Sequence, residues 1–416
     1  MAPQHHREAS TRLPPENSAW PAIGLEPQIW EPRLPMWGVQ SRRDQAAIGA
    51  TYQSAVPAAI AELEFAPRRA VSAAAEDAST AIVRFDAELG SEIAPFSSVL
   101  LRTESVASSQ IENLSASARS IAMAELGDCS KDNASLIATN TRAMRAAVDL
   151  ADNLDVDAVL KMHEALLRDH DPDIAGKFRT EAVWIGRRGA SPIGADYVAP
   201  DHRRLQDAMD DLMAYINRTD IPVLEQVAIA HAQFETLHPF PDGNGRTGRA
   251  LMHSMLRAKG LTCNVTVPVS SGLLAEVDSY YQSLTDYRAG NPEPIITVTA
   301  DAAFRAINNA QQLVHDLLDL RANWKAAVKA RSDSAVWRVM DLLLRQPIIN
   351  TKVLQYELGI ASKHADRHMT VLKDAGIVSS FTAYQRGIHW KADDVLGSLD
   401  DFARRSGRRA NPTRLS

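Results

Sequence analysis

Between residues 222 and 260 two helices are forced to meet at a loop of prolines and glycines, and nothing else in the chain limits its architecture so closely. Pro222 suits a first helical turn. Leu224, Val227, Ala228, His231, Phe234 and His238 then recur at spacings of three and four and mark one helix face. Pro239 stops that helix, because the residue before a proline is pushed out of the α region. Phe240-Pro241-Asp242-Gly243-Asn244-Gly245-Arg246-Thr247-Gly248-Arg249 follows, and a second helix runs through Leu251, Met252, Met255 and Leu256 to Gly260 just past its end. His238 therefore sits where a helix stops, and a Gly-rich loop opens the N-terminus of the next one.

Unpaired amides and the positive end of the helix dipole make such an N-terminus a cradle for phosphate. Gly243 and Gly245 let the backbone approach the anion. Arg246 and Arg249, three apart, reach the same side of the helix with forked guanidinium groups. Asp242 offers a hard oxygen ligand for Mg2+ beside the phosphates, and His238 a base able to titrate near neutral pH. Cradle, metal ligand, two arginines and a base within twelve residues predict phosphoryl or nucleotidyl transfer. Gly243-x-Gly245-x-x-Gly248 also spells a dinucleotide fingerprint, but that motif needs an apolar strand ahead of it, and a helix ending in His-Pro-Phe-Pro-Asp stands there. His231, Glu235 and His238 lack both HExxH order and a third ligand, so His231 reads as a core histidine and Thr247 and Gly248 as packing positions.

At 416 residues, two to three domains are expected. Residues 1–43 form an arm with seven prolines and Trp20, Trp30 and Trp37; that proline density is expected to forbid regular helix and strand, while the tryptophans pack. Residues 44–130 read as an N-terminal helical region, 131–295 as the catalytic core and 296–330 as a linking helix. Val183–Ile185 and Tyr197–Val198 flank a glycine-rich turn and predict a hairpin. Residues 331–400 have the helix, helix, helix and β-prone tail of a winged helix-turn-helix domain, and 401–416 a basic tail. The fold class is thus mainly α, with a short β-hairpin on a helical core and a small C-terminal winged-helix domain. The net charge of −6 argues against a surface wholly given to nucleic acid. From residue 331 onward, however, 14 Lys and Arg face 9 Asp and Glu, so DNA contact through Lys363, His364, Arg367, His368, Lys373 and Arg386 stays open beside protein docking. Cys129 and Cys263 stand far apart without metal-ligand spacing, which fits a reducing cytoplasm. No apolar run follows the first residues and none approaches a membrane span, so a soluble protein without membrane partners is expected.

The run His238 to Arg249 resembles, position for position, the Fic-family signature HxFx(D/E)GNGRxxR, and the likeness extends over roughly residues 90–395. The resemblance implies a protein adenylyltransferase moving AMP from ATP to a hydroxyl of a target protein. In it His238 deprotonates the hydroxyl and Asp242 holds Mg2+ on the α and β phosphates. Gly243, Asn244 and Gly245 form the anion hole, Arg246 contacts the β-phosphate, Arg249 clamps the γ-phosphate and Phe240 anchors the loop. Val183, Trp184, Ile185 and Gly186 correspond to the flap that docks the target, and Gly176-Lys177-Phe178-Arg179 is similar to the segment leading into it. Pro268-Val-Ser270 and Tyr280-Tyr281 look like the adenine side. Ser108-x-x-x-Glu112-Asn113 resembles the family's inhibitory motif [ST]xxxE[GN], which implies that Glu112 pairs with Arg249 and shuts the site from within the same chain. Two other readings remain: a DNA-binding regulator whose core senses nucleotide, and removal of AMP by the same site. A homodimer and self-modification are likewise open.

Overall fold

The computed structural model describes residues 20–31, 42–90, 96–186, 191–383 and 387–407. In chain order, β1 (Gly24–Ile29), α1 (Arg42–Ala47) and β2 (Thr51–Val56) precede α2 (Arg69–Gly90), α3 (Ser97–Ile111), α4 (Ala118–Glu125), α5 (Asp132–Asp149) and α6 (Val156–Leu167). The hairpin β3 (Trp184–Ile185) and β4 (Tyr197–Val198) leads to α7 (Leu205–Ile216), α8 (Val223–Leu237) and α9 (Asn244–Ala258). After α10 (Val269–Ala275) and α11 (Val277–Arg288) comes the 35-residue α12 (Glu293–Ala327). The C-terminal part holds α13 (Ala335–Arg345), β5 (Ile348–Asn350), α14 (Thr351–Leu358), α15 (Ser362–Asp374), β6 (Ser379–Ala383), β7 (Gly387–Lys391) and α16 (Asp393–Arg405). Among the described residues no helix is long and apolar enough to cross a membrane.

Two apolar cores organise these elements. Phe85, Leu100, Met144, Phe234, Phe240 and Ile296 belong to the first, and Leu317, Trp324, Leu343, Leu372, Trp390 and Val395 to the second. Both use α12. Pro292 and Pro294 fix its first turn, and Ile295, Thr299, Ala303, Ala306, Ala310, Leu313 and Leu317 bury one continuous stripe. Of the stretch 296–330 expected as a linking helix, the part up to Ala327 is helical and contributes a wall to both cores. Helix α3 is shared in the same way: Phe96 before it and Val99 on it enter the second core, Leu100, Ala107 and Ile111 the first.

Two expectations are corrected. Proline density does not exclude a strand, since β1 contains Pro27 opposite Gln53 of β2. A two-stranded ribbon keeps a free edge on each side, where a residue without an N–H is tolerated. Trp20 packs against Phe65 and Tyr287 at 5.6 and 5.8 Å, and Trp30 meets Trp184 edge-on at 5.5 Å. Trp37 lies outside the described residues, as do Arg386, Arg408 and Arg409. The basic tail does not begin at residue 401, because α16 runs on to Arg405 with Phe402 and Ala403 buried. Asn309 of α12 donates to Phe402 O at 3.2 Å and to Ser406 Oγ at 2.8 Å, which fixes that end. In the C-terminal part the strands pair antiparallel in the order β5-β7-β6, with α14 and α15 between β5 and β6.

Helix α10 crosses α12 at Gly272, where a β-carbon would stand 2.6 Å from both the carbonyl carbon and the Cα of Ala302. These are backbone atoms that no rotamer change can move. Gly272→Ala is expected to cost about 1–3 kcal/mol, read as a lower urea midpoint at unchanged slope; an unchanged midpoint would contradict the close crossing.

Candidate active site

Helix α8 ends because His238 leaves it in the left-handed conformation, with φ 47° and ψ 59°. For a residue with a β-carbon that costs about 1–2 kcal/mol, so neighbouring contacts must hold it. The phenol of Tyr197 donates to Thr236 O at 2.6 Å, and Arg288 donates to Glu235 O at 3.3 Å while its guanidinium lies 3.9 Å over the Tyr197 ring. Arg179 of the lead-in segment is buried against the same helix end. The His238 imidazole, its Nδ1 3.4 Å from Glu235 O, is pushed down to about 4 by burial. The sequence suggested a base titrating near neutrality; the folded environment keeps this one neutral there instead.

The loop that follows is built from its own side chains. Phe240 is fully buried and stacks on His163, ring centroids 3.7 Å apart. Asn244 Oδ1 accepts from Phe240 N and its Nδ2 donates to Phe240 O, each at 2.8 Å. That amide is spent closing the loop, so an anion would meet the backbone of Asn244 rather than its side chain. His163 Nδ1 accepts from Gly176 N at 3.0 Å, which leaves the proton on Nε2, 3.0 Å from Asp242 O; burial pushes this ring down to about 4 as well. Gly243 has φ 76°, and a β-carbon there would press on Leu166 Cδ2 at 2.9 Å.

His238, Asp242, Gly243, Asn244, Gly245 and Arg249 open into one cavity of about 800 Å³, a size suited to a nucleotide. Val183, Trp184 and Ile185 line it from the hairpin, Tyr280, Tyr281 and Arg288 from α11, and Glu112 from the end of α3. Gly186, directly after β3, holds φ 119° with Asp196 packed against its α-carbon. Tyr280 OH lies 2.8 Å from His231 Nε2, and Tyr281 OH donates to Ile111 O at 2.9 Å. Pro268-Val269-Ser270 does not reach the cavity. Ser270 N instead donates to Glu104 at 2.9 Å within the α3–α10 packing, and Glu104 also holds His253 Nε2 at 2.9 Å.

The carboxylate of Glu112 dominates the site's electrostatics. Its Oε1 accepts from Arg249 Nη2 at 2.8 Å and its Oε2 from Arg246 Nε at 2.9 Å. The sequence pointed to Arg249 alone; Arg246, also 3.0 Å from Asp242 Oδ2, is a second partner. Arg249 further donates to Ser108 Oγ and Ser108 O, both at 2.8 Å. Both guanidinium groups are almost wholly buried, at 4% and 2% exposure. Burial disfavours the Arg249 charge, and Glu112 more than offsets it, so this arginine is held above its usual range. A β-carbon on Gly245 would stand 2.5 Å from Glu112 Oε1 and 2.8 Å from Arg249 Nη1, so only glycine permits the bridge. Among the described residues no group of three or more His, Cys, Asp and Glu gathers as a metal site, and the Asp242 side chain is 64% exposed.

Sequence reasoning gave no role to Glu235. It lines the cavity one turn before His238, its carboxyl raised to about 7 by burial against the opposing pull of Arg249. Its spacing of three from His238 was the available signal. A neutral imidazole, a helix N-terminus and the Arg249 guanidinium around one cavity, which Arg246 does not line, can bind a polyphosphate and take a proton beside it.

Residues 153–256 match the model of the Fic/DOC family, so the segment from α6 into α9 is similar to the domain of that family. "Protein adenylyltransferase fic-1" of Caenorhabditis elegans is 34% identical over 149 residues, 36% of this chain and 27% of that one. "Protein adenylyltransferase Fic" of Nematostella vectensis is 26% identical over 164 residues, 39% and 35% of the two chains. This chain thus spans about a quarter to a third of the length of these curated relatives. A solved Fic family protein from Desulfovibrio desulfuricans G20 shares the fold with a TM-score of 0.50 at 19% identity, covering 79% of this chain and 97% of that one.

Removing one partner of a buried ion pair strands the other charge, at a cost of about 3–5 kcal/mol when burial is complete. Glu112 is 26% exposed, so Glu112→Gln is expected to lower the melting temperature by less than that implies. Added pyrophosphate should then raise it more in the variant than in the parent. Equal shifts in both proteins would mean that Glu112 and phosphate do not compete.

Proposed function

We propose that this chain is a protein adenylyltransferase that moves AMP from ATP onto a hydroxyl of a target protein and is held inactive by Glu112. The observation that carries the reading is a neutral imidazole, His238, opening into the same cavity as the N-terminus of α9 and the Arg249 guanidinium. The curated relatives' names point the same way.

In this reading His238 takes the proton of the incoming hydroxyl as its oxygen bonds to the α-phosphorus. The bond from that phosphorus to the bridging oxygen breaks, and pyrophosphate leaves. A base kept neutral by burial is fully available at pH 7. The amides of Gly243, Asn244 and Gly245 would receive the phosphates, with Arg246 on the β and Arg249 on the γ position. Tyr280 and Tyr281 would flank the adenine. Asp242 fits a Mg2+ that keeps several waters, being a single, largely exposed carboxylate at the cavity wall. When bound, that ion would draw charge off the α and β phosphates. The β3–β4 ladder of Trp184–Val198 and Ile185–Tyr197 would take a target strand along its edge and present the hydroxyl. With Glu112 seated, Arg249 Nη2 is given to its carboxylate and to Ser108 O, so in this reading release of Glu112 is required for productive ATP binding.

A second partner is suggested by α15, where Lys363, His364 and Arg367 are exposed. We read the C-terminal part as a winged helix that can meet duplex DNA through this face. Retention on duplex DNA should then fall steeply with salt and be unaffected by His238→Ala; retention equal for a Lys363 and Arg367 double alanine variant would reject it.

Glu112→Gly should increase self-labelling by ATP carrying a labelled α-phosphate, and adding His238→Ala should abolish it, a loss of about 10² to 10⁴. Equal labelling by both forms would refute the assigned base. Because the His238 pKa lies near 4, the base is deprotonated above it. The labelling rate of Glu112→Gly should therefore be level in its His238 dependence from pH 6 to 9 and fall as pH drops toward 4. An inflection at 6.5 tracing to this residue would show an imidazole free of burial.

A further inference from the structure

The last carbonyls of α8 have no helical N–H to receive, since His238 has turned out of the helix and Pro239 has no N–H. Side chains take their place. Arg288 and Tyr197 serve Glu235 O and Thr236 O. Arg179 serves the next two, with Nη2 3.3 Å from Leu237 O and Nε 2.8 Å from His238 O, and its backbone N–H donates to Pro239 O at 3.0 Å.

The same guanidinium reaches the other way. Its Nη1 donates to Glu181 O at 3.0 Å and its Nη2 to Pro200 O at 2.6 Å. Glu181 precedes β3 and Pro200 follows β4, so these are the two stems of the hairpin. Arg179 is 2% exposed and its contacts are carbonyl oxygens, with the negative end of the α8 dipole facing the charge. Burial draws its pKa down to about 10, which leaves it protonated at neutral pH. It does not line the nucleotide cavity.

We propose that Arg179 is a positioning residue for AMP transfer: one buried fork fixes the backbone of His238 and both hairpin stems in a common frame, so that base and target hydroxyl meet at a set distance. The inference rests on the adenylyltransferase reading of this site. A lysine cannot replace the fork, because a single ammonium has no planar geometry to span helix end and hairpin together. A displacement of about 1 Å between reacting groups can cost roughly 10² in rate.

The test uses the full chain carrying Glu112→Gly, with Arg179→Lys and Arg179→Ala added separately. Binding of ATP is measured by displacement of a fluorescent ATP analogue, and AMP transfer by single-turnover self-labelling. ATP affinity should stay within about threefold while the transfer rate falls about 10²-fold. Methylguanidinium at millimolar concentration should restore part of the rate in Arg179→Ala and none in His238→Ala. Proportional loss of affinity and rate, a transfer rate within threefold of the parent, or rescue of neither variant would overturn the proposal. If Arg179→Ala does not fold, Arg179→Lys carries the affinity-against-rate comparison. Should Glu112→Gly itself transfer no AMP, the function reading fails and Arg179 is judged by the imidazole NMR signals of His238. Loss of Arg179 should move their titration up toward 6.5, and an unmoved titration would sink the positioning role.

Discussion

A positive field that must be answered by an anion governs this molecule. Helix α9 starts with unpaired amides, and Arg246 and Arg249 lie buried beside them, so three sources of positive potential converge where little water can enter. Left unanswered, such charges would carry a desolvation penalty of several kcal/mol each. The Glu112 carboxylate answers both arginines at once, one oxygen to each. The field that would bind a polyphosphate is thus the field that holds the Glu112 carboxylate, and under the proposed function a single affinity difference would decide between the two anions.

The Glu112 bridge is only as firm as the helix that carries it. Helix α3 is tied by buried polar contacts as well as by packing. Asn140 of α5 donates to Ser105 O at 2.9 Å and to Ser109 Oγ at 3.1 Å. Glu104 holds Ser270 and His253, and Tyr281 reaches the last carbonyl of the helix. On the opposite side, Arg102 pairs with Glu125 at 2.8 Å and donates to Arg345 O of the C-terminal part at 2.8 Å. Moving Glu112 off the arginines therefore requires either a local turn at Asn113, already in the left-handed region with φ 63°, or a shift of α3 against both cores. The local turn breaks fewer buried contacts.

What the sequence made legible is what short-range chemistry determines. Pro239 after His238 ends a helix wherever it stands, and the glycine spacing from 243 to 248 shapes a loop before any tertiary contact forms. The hairpin and the order of the helices followed from patterning in the same way. The bridge from Glu112 to Arg246 was not legible, since 134 residues separate them and a fork's second partner depends on where a distant helix stops. Nor was the low pKa of His238, because burial is a property of the assembled fold. The strand through Pro27 was hidden by counting prolines where the relevant question was which edge the missing N–H would face. Pro268 to Ser270 was misplaced because adjacency in sequence to α11 does not bring α10 to the cavity.

The loop also explains why so few side chains remain for chemistry. Phe240 is given to the core, Asn244 to the Phe240 backbone, and His163 to Asp242 O and Gly176 N. Each of these interactions removes a way for the loop to relax. What the loop and its flanking helices then offer the cavity is backbone N–H, the Arg249 guanidinium, the Asp242 and Glu235 carboxyls and one neutral imidazole. Groups already oriented need not reorganise when negative charge moves from one phosphate oxygen to another, and that saved reorganisation is usually the largest contribution a protein makes to such a step. The strain stored at His238 follows from the same logic. A histidine continuing α8 would stay on the helix, whereas the left-handed turn leaves His238 lining the same cavity as Gly243, Asn244 and Gly245 at the start of α9.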